Sequence, residues 1–301
     1  MAVILESLAT LCVLVFVVTS MLAMGLNLTV AQILSPLRNR TLVASALVAN
    51  FVVVPLLAVA ILRFVPLSQA QSIGLVLLAT AAGAPFLPTL VQAAKGDVAF
   101  GVGLMVLLMV TTVAYVPLVL PVLLPGVAVD PMDIASSLVV LLLLPLSIGL
   151  AVRARYPELA RPVQPVMAQT STTALAILLV LMLVLNFQTL VAVIGTGAIL
   201  ALGLFVVLSL VVGYLLGGSA LETRAVVGLG TAQRNISAAL VVAAQNFADP
   251  DVVVMLLVGA ILMLVVLLVV GGELGKRSTA PYESVDDGVE SPVSPTDPHE
   301  I

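Results

Sequence analysis

Apolar runs of about 20 residues follow one another along this chain, and they constrain its fold more than any other feature. Each run has the length that an α-helix needs to cross the hydrocarbon core of a bilayer. Hydrophobic residues make up 62% of the sequence and charged residues 9%, which excludes an ordinary soluble domain. The alternating segments of about ten residues that mark an outer-membrane barrel are missing. The sequence therefore predicts an all-α polytopic membrane protein.

The runs predict about nine membrane spans, and the charges between them predict an orientation. The spans cover residues 4–28, 41–63, 71–94, 98–124, 134–152, 166–187, 191–217, 222–247 and 252–272. With the N-terminus outside, the inner side receives nine basic residues, which are Arg38, Arg40, Lys95, Arg153, Arg155, Arg161, Arg224, Lys276 and Arg277. The outer loops receive Arg63 alone. This asymmetry predicts a multi-pass protein of the inner (cytoplasmic) membrane with a cytoplasmic C-terminus.

Two of the predicted spans are interrupted by residues that disfavour a continuous helix. The third is broken over residues 83–88, where the breaking residues are Gly83, Pro85 and Pro88, and the eighth over residues 230–235, beginning at Gly230. A broken helix frees backbone N–H and C=O groups that lipid cannot satisfy, so protein or a water-filled cavity must surround it. Paired breaks in the two halves of a chain indicate the binding site of a secondary transporter.

Arg234 is the one basic residue deep inside a predicted span. An intramembrane arginine costs roughly 2.5–3.5 kcal/mol on insertion scales, so it should face a cavity or a partner. One interpretation is a structural ion pair or carbonyl clamp that pins the two half-helices. The other is a fixed cation that meets an anionic substrate or takes the place of a coupling cation. No Asp or Glu lies at comparable depth in a span, which argues against the interpretation as an ion pair. We therefore favour the second interpretation.

Polar side chains at membrane depth complete the predicted substrate-binding set. Together with Arg234 they are Thr231, Gln233, Asn235, Ser237, Asn50 and Thr89. Cys12 is the only cysteine and His299 the only histidine, so neither an internal disulfide nor a histidine-based metal site or catalytic group is expected. No catalytic residue and no enzymatic activity are predicted.

The end of the chain differs in composition from the rest. Residues 278–301 contain six of the 15 acidic residues and no Lys or Arg, together with several Ser and Pro. Such a segment cannot bury a core, so it predicts a disordered acidic cytoplasmic tail after a carrier domain of residues 1–277. The low isoelectric point belongs to this tail, and no nucleic-acid partner is expected.

The chain has short motifs at residues 21–28, 49–55, 79–99, 213–217 and 235–240. In order and spacing they resemble motifs of the bile acid:sodium symporter family. Residues 21–28 look like its M-x-x-M-G-L-x-L helix end, and residues 49–51 followed by Pro55 look like its A-Q-F-x-x-x-P segment. Residues 79–99 follow its broken helix ending in A-R-G-N-V-A, and residues 213–217 match G-Y-L-L-G. Asn235 and residues 238–240 lie where the family has Q-N-S-G-L-A.

This resemblance implies an inverted-repeat carrier in which two discontinuous helices cross. It implies a panel domain of residues 1–33 and 131–188 and a core domain of residues 39–125 and 190–273. The chain is similar to divergent prokaryotic-type members that have nine spans and lack the first helix of the ten-span version.

The residues at the family's sodium positions depart from the pattern. The first sodium site of the family uses side-chain oxygens at positions that here are Leu87, Pro88, Gly101 and Met105. The shared glutamate falls at Gly230, or at Leu229, and the neighbouring glutamine at Arg234. Among the positions matched to the family's sodium sites, Asn50 alone keeps a side-chain amide. We therefore expect no cofactor, with sodium left open by the resemblance, and we interpret Arg234 as a tethered surrogate cation.

A carrier of a small organic anion, embedded in a lipid bilayer and working by alternating access, is the leading hypothesis. A sodium-coupled organic-anion or bile-acid-type symporter is the alternative within transport. A transport-inactive membrane sensor or scaffold is the alternative from another class, suggested by the missing coupling groups.

Overall fold

The computed structural model describes residues 2–34, 38–124, 130–185 and 195–277, and it is built from helices. In chain order they are α1 (Ala2–Asn27), α2 (Val30–Leu34), α3 (Arg40–Val48), α4 (Val54–Phe64), α5 (Gln69–Thr80), α6 (Leu87–Ala93), α7 (Val98–Leu123), α8 (Pro131–Leu138), α9 (Leu144–Arg155), α10 (Pro157–Leu185), α11 (Ala198–Leu216), α12 (Leu221–Ala232), α13 (Ile236–Asn246) and α14 (Pro250–Arg277). The predicted tail of residues 278–301 lies outside the described residues.

Eight helical segments in the described ranges are long and apolar enough to cross a membrane. Each corresponds to one of the predicted spans, and the remaining predicted span is divided between α5 and α6, which are too short to count singly. The all-α polytopic fold is thereby confirmed. The total of nine spans, their orientation and the repeat symmetry stay predictions.

In two of the spans a wider turn of the helix precedes a proline, and the span continues as a helix through it. A π-helical turn at Ala49–Val53 joins α3 to α4 ahead of Pro55, and another at Val139–Leu143 joins α8 to α9 ahead of Pro145. Proline lacks an N–H and clashes with the carbonyl four residues earlier, and a π turn relieves both problems. The first of these turns contains Asn50.

The first break lies slightly earlier than the sequence predicts. The helix stops at Thr80 and resumes at Leu87, with Gly83 at a φ of 81° that glycine adopts without strain. Pro85 belongs to the irregular stretch, as expected. Pro88 is a correction, because it lies in the first turn of α6, where its missing N–H would have no helical acceptor in any case.

The second break is shorter than predicted and is limited to residues 233–235. Gly230 was expected to break the helix but lies in the last turns of α12, so that prediction is wrong. The physical reason for a glycine there is contact rather than flexibility. A Cβ atom at this position would lie only 3.0 Å from Cδ2 of Leu87, on the other broken span.

Two groups of packed helices adjoin the breaks, and α1 of the first group also packs against α13 of the second. α1 packs along α10 and α9, and it approaches α9 so closely at Gly25 and Gly149 that an added Cβ would collide with the partner's backbone. α5, α6, α12 and α13 pack against α7, α11 and α14. The assignment of these groups to panel and core domains stays a prediction.

Candidate functional site

A cavity of about 600 Å³ lies between α1 and α10 on one side and the two helix breaks on the other. Its walls are mainly apolar, with Phe16 and Met24 of α1, Leu175 of α10 and Phe86 of the first break among them. A second cavity, of about 470 Å³, is lined by α1 and α10 alone and includes none of the predicted site residues. The first cavity is therefore the candidate site.

Arg234 stands at the point where the two breaks meet, and its side chain is completely buried. Nε donates to the carbonyl of Leu78 at 2.9 Å, and Nη2 donates to the carbonyl of Ala79 at 2.8 Å. Nη1 donates to Oδ1 of Asn50 at 2.7 Å and to the carbonyl of Thr231 at 3.0 Å. These bonds use four of the five N–H donors of an arginine, and Arg234 also belongs to the lining of the cavity.

The three carbonyls around the guanidinium come from helix ends. Leu78 and Ala79 lie in the last turn of α5, and Thr231 lies in the last turn of α12. Carbonyls at a helix C-terminus have no intrahelical partner and carry the negative end of the helix dipole. A cation held between two such ends satisfies both, so Arg234 clamps the two broken spans together.

Asn50 is oriented by its own hydrogen bonds. Its Nδ2 donates to the carbonyl of Ala46 at 3.0 Å and to Oγ1 of Thr231 at 3.1 Å. Both amide hydrogens are thus used within the protein, and Oδ1 turns to Arg234. Asn50, Thr231 and Arg234 are each fully buried, and they form one polar cluster that links the second span to the second break.

Asn235 joins the two breaks through its backbone and its side chain. Its backbone N–H donates to the carbonyl of Ala81 at 2.9 Å, and Nδ2 donates to the carbonyl of Gly83 at 3.0 Å. Its Oδ1 accepts from the N–H of Ala238 at 3.1 Å and so caps α13. Irregular backbone at membrane depth needs such internal partners.

Thr112 on α7 supports the first break from behind. Its Oγ1 accepts from the N–H of Ala82 at 2.9 Å and donates to the carbonyl of the same residue at 3.1 Å. Sequence reasoning missed this residue. A buried threonine inside an apolar span was the available signal, but its partner lies thirty positions away, so the sequence does not reveal it.

The predicted site residues divide into two layers. Arg234, Gln233, Ser237 and Thr89 line the cavity, while Asn50, Thr231 and Asn235 lie behind it in the hydrogen-bonded scaffold. Gln233 is 8% exposed, and its buried Oε1 has no hydrogen-bond partner among the described residues.

The far wall of the cavity adds polar residues that the sequence analysis did not identify. They are Ser20 and Asn27 on α1 and Gln164, Ser171 and Thr172 on α10. Ser20 and Asn27, like Gln164 and Ser171, are seven residues apart, a spacing that places both members of a pair on one helix face. That polar periodicity within apolar spans was the signal that could have found them.

At the positions that the resemblance matches to the family's first sodium site, the structure has packed carbon groups. Leu87 and Met105 are each 1% exposed. A Cβ at Gly101 would stand 3.2 Å from Cγ2 of Val91, so an oxygen-bearing side chain would not fit there without movement. The side chains at these positions therefore offer no oxygen ligand.

Comparison with known proteins identifies the family of the chain. No curated protein matches it. Residues 13–193 match the sequence model of the Sodium Bile acid symporter family, a match that covers more than half of the chain and includes the first broken span. The second broken span and Arg234 lie beyond the matched residues. Given this match, and eight apolar helices of membrane-spanning length among the described residues, the protein belongs to the Sodium Bile acid symporter family, a family of membrane transporters.

Proposed function

We propose that this protein is a carrier that moves a small amphipathic organic anion across the membrane by alternating access, without the sodium coupling of its family. The observation that carries the proposal is the position of the cavity against Arg234 and the N-terminus of α13. Arg234 is the one formally charged side chain among the described residues that line the cavity. The one formal charge at the cavity wall is therefore positive.

The N-terminus of α13 supports the preference for an anion. Asn235 accepts from Ala238, but the first N–H groups of a helix, here those of Ile236 and Ser237, have no intrahelical acceptor. Both residues lie at the cavity wall, and Ser237 adds a hydroxyl. An anion placed there meets free donors and the positive end of the helix dipole, an arrangement that half-helices of transporters use for substrate carboxylates.

Arg234 contributes to this site in a more limited way than the sequence suggested. Three of its nitrogens already donate to protein oxygens, so it cannot grip a carboxylate with two parallel N–H groups in this structure. Its contribution is a buried positive charge beside the cavity. In a water-poor surrounding that charge acts strongly on a nearby anion.

The size and polarity of the cavity indicate the class of substrate. About 600 Å³ with mainly apolar walls suits a drug-sized molecule that carries one anionic group and a large hydrophobic body. On the opposite wall Ser20 adds a hydroxyl, while the hydroxyls of Ser171 and Thr172 donate to the carbonyls of Phe16 and Ala168 and can only accept from polar substituents of that body. The family name makes a bile acid the first probe.

The proposal is tested by calorimetric binding of a bile acid and of a short aliphatic carboxylate, each in sodium and in choline buffer. We expect the bile acid to bind with the same affinity in both buffers. Ser237→Ala should weaken binding about tenfold or more, since a hydrogen bond to a charged group contributes roughly 1.5–3 kcal/mol. Ser209→Ala, a buried serine on α11 away from the cavity, is the matched control.

Binding that requires sodium would favour the family's usual symport instead. A carrier is separated from a transport-inactive sensor by counterflow in proteoliposomes, where a carrier accelerates uptake of labelled anion when unlabelled anion is inside. Anion binding without counterflow would favour the sensor.

A further inference from the structure

We propose that the acidic segment of residues 278–301 binds an arginine cluster of the same chain and thereby lies across the open end of the candidate cavity. The arginine cluster is formed by Arg153 and Arg155 at the end of α9 and by Arg161 in the first turns of α10. This inference goes beyond the proposed function, because it concerns a contact of the chain with itself.

The arginine cluster has more positive charge than its neighbours balance. Among the described residues, the side chains of Arg153 and Arg155 form no ion pair and no hydrogen bond. Arg161 pairs with Glu158 at 3.2 Å, but the two side chains are 66% and 79% exposed. An exposed pair of this kind contributes little, so the cluster keeps its capacity to bind another anion.

The arginine cluster borders the cavity. Arg161 is three residues before Gln164, a spacing that places both on one face of α10, and Gln164 lines the cavity. Asn27, the last residue of α1, lines it too and is exposed. Because Gly149 of α9 packs against Gly25 of α1, the ends of these two helices lie close together. The cavity is therefore open at the end where the cluster lies.

The acidic segment begins on the same side of the membrane as the arginine cluster. Four candidate spans of the described residues separate Arg155 from Arg277, namely Pro157–Leu181, Ala198–Leu216, Leu221–Asn246 and Pro250–Lys276. An even number of crossings returns the chain to one side, whichever way the protein is oriented. Leu264 of α14 lines the cavity, and α14 continues to Arg277, about 20 Å further along its axis. The segment thus starts from the wall opposite α10.

The acidic segment suits the cluster in charge and in length. It carries six carboxylate side chains and no Lys or Arg, and three of the six, Asp286, Asp287 and Glu290, lie within five residues. A flexible chain of its 24 residues spans about 25–30 Å in root mean square, which exceeds two helix diameters of about 10–12 Å each. Attachment to the same chain gives it an effective concentration in the millimolar range.

Anionic lipid headgroups are the competing occupant of the arginine cluster. They surround the outside of a membrane protein, whereas Arg161 lies on the face of α10 that continues into the cavity lining. The position of Arg161 therefore favours the acidic segment. A segment bound there connects α14 with α10 and passes the opening between them.

A distance measurement between two spin labels tests the inference on the purified full chain in neutral detergent. The labels are attached to Leu159→Cys, an exposed position within the arginine cluster, and to Val289→Cys, beside Glu290, in a Cys12→Ala background. We expect a short mean distance at low salt. It should lengthen in 1 M salt, where the screening length falls to about 3 Å.

Charge reversal locates the contact. Arg155→Glu with Arg161→Glu, two exposed positions, should lengthen the distance, and adding Asp286→Arg with Asp287→Arg should shorten it again. Arg38→Glu with Arg40→Glu is the matched control, because it changes the net charge equally at two exposed positions outside the cluster. An unchanged distance in the first variant, or an equal change in the control, would overturn the inference.

The lipid alternative is tested by repeating the measurement in nanodiscs of zwitterionic and of anionic phospholipid. A short distance in both supports the inference. A distance that is short in zwitterionic lipid and long in anionic lipid would show that headgroups occupy the cluster, and the inference would be wrong. No organic anion is present in these measurements, so their failure would leave the proposed function untouched.

Discussion

Nη1 of Arg234 donates a hydrogen bond to Oδ1 of Asn50 across 2.7 Å, although the two residues are 184 positions apart in the chain. Asn50 lies in a π turn of the second span, and Arg234 lies in the break of the eighth. Both side chains are fully buried. The bond therefore connects the two halves of the chain at the point where the helices are least regular, next to the cavity.

Asn50→Ala should destabilise the protein by about 1.5–3 kcal/mol, because it leaves a charged N–H group buried without its acceptor. The measurement is thermal unfolding in detergent. Asn246→Ala is the matched control, since Nδ2 of Asn246 donates within its own helix, to the carbonyl of Val242 at 3.0 Å, and is only partly buried. Equal loss of stability in the two variants would contradict the special role of the Asn50–Arg234 bond.

Gly213→Ala should destabilise the contact between α11 and α12. A Cβ at this position would lie 2.5 Å from the carbonyl oxygen of Val227 and 2.6 Å from Oγ1 of Thr231, a residue of the Arg234 cluster. Overpacking of this kind costs about 1–3 kcal/mol. Gly203→Ala on the same helix is the control, because a Cβ there meets no atom within 4 Å and alanine favours a helix. We expect a lower Tm for Gly213→Ala and an unchanged or higher Tm for Gly203→Ala.

Ala168→Phe should reduce anion binding while leaving the fold intact. Ala168 lines the cavity from α10, so a phenyl ring there would take up part of the 600 Å³. Ala176→Phe, on an exposed face of the same helix, is the control. The readouts are bile-acid binding by calorimetry and the Tm of each variant. Undiminished binding by Ala168→Phe would place the substrate elsewhere.

Cysteines at the two ends of the Pro131–Arg155 segment should be labelled from opposite sides of the membrane. This 25-residue helical segment is one of the candidate spans, and the basic loops predict that its end at Arg155 faces the cytoplasm. Met132→Cys and Arg155→Cys are made with Cys12→Ala, which removes the one native cysteine. Labelling of intact cells with an impermeant maleimide should modify position 132 only. Modification of both sites from outside would overturn the orientation.

The general fold and the position of the breaks were open to prediction because they follow from local chemistry. A 20-residue apolar run must become a helix in lipid, where every backbone group needs an internal partner. Gly83 and Pro85 disfavour a continuous helix wherever they stand, and both lie in the first break. Gly230 could not be placed from the sequence, because a glycine in a helix can also permit close contact, and only the position of Leu87 distinguishes the two roles.

Like the role of Gly230, the partners of Arg234 could not be predicted from the sequence, because they depend on contacts between distant positions. The cost of inserting an arginine into the membrane shows that its guanidinium needs a partner. A neighbouring anion, a ligand or a set of carbonyls can each be that partner. Main-chain carbonyls are present at every residue and leave no signature. The carbonyl clamp, which the sequence favoured less, therefore describes the contacts of Arg234 in this structure, and anion binding by Arg234 remains a proposal.

The sequence by itself determined that the chain is a helical membrane protein, that two of its spans are interrupted and that one arginine lies deep among them, since hydrophobicity, proline geometry and charge burial act over a few residues at a time. Only the tertiary structure decided that Leu78, Ala79, Thr231 and Asn50 surround that arginine. It also decided which polar residues reach the cavity and which lie behind it. Those contacts join positions far apart in the chain, and their geometry depends on how the helix ends are packed against one another.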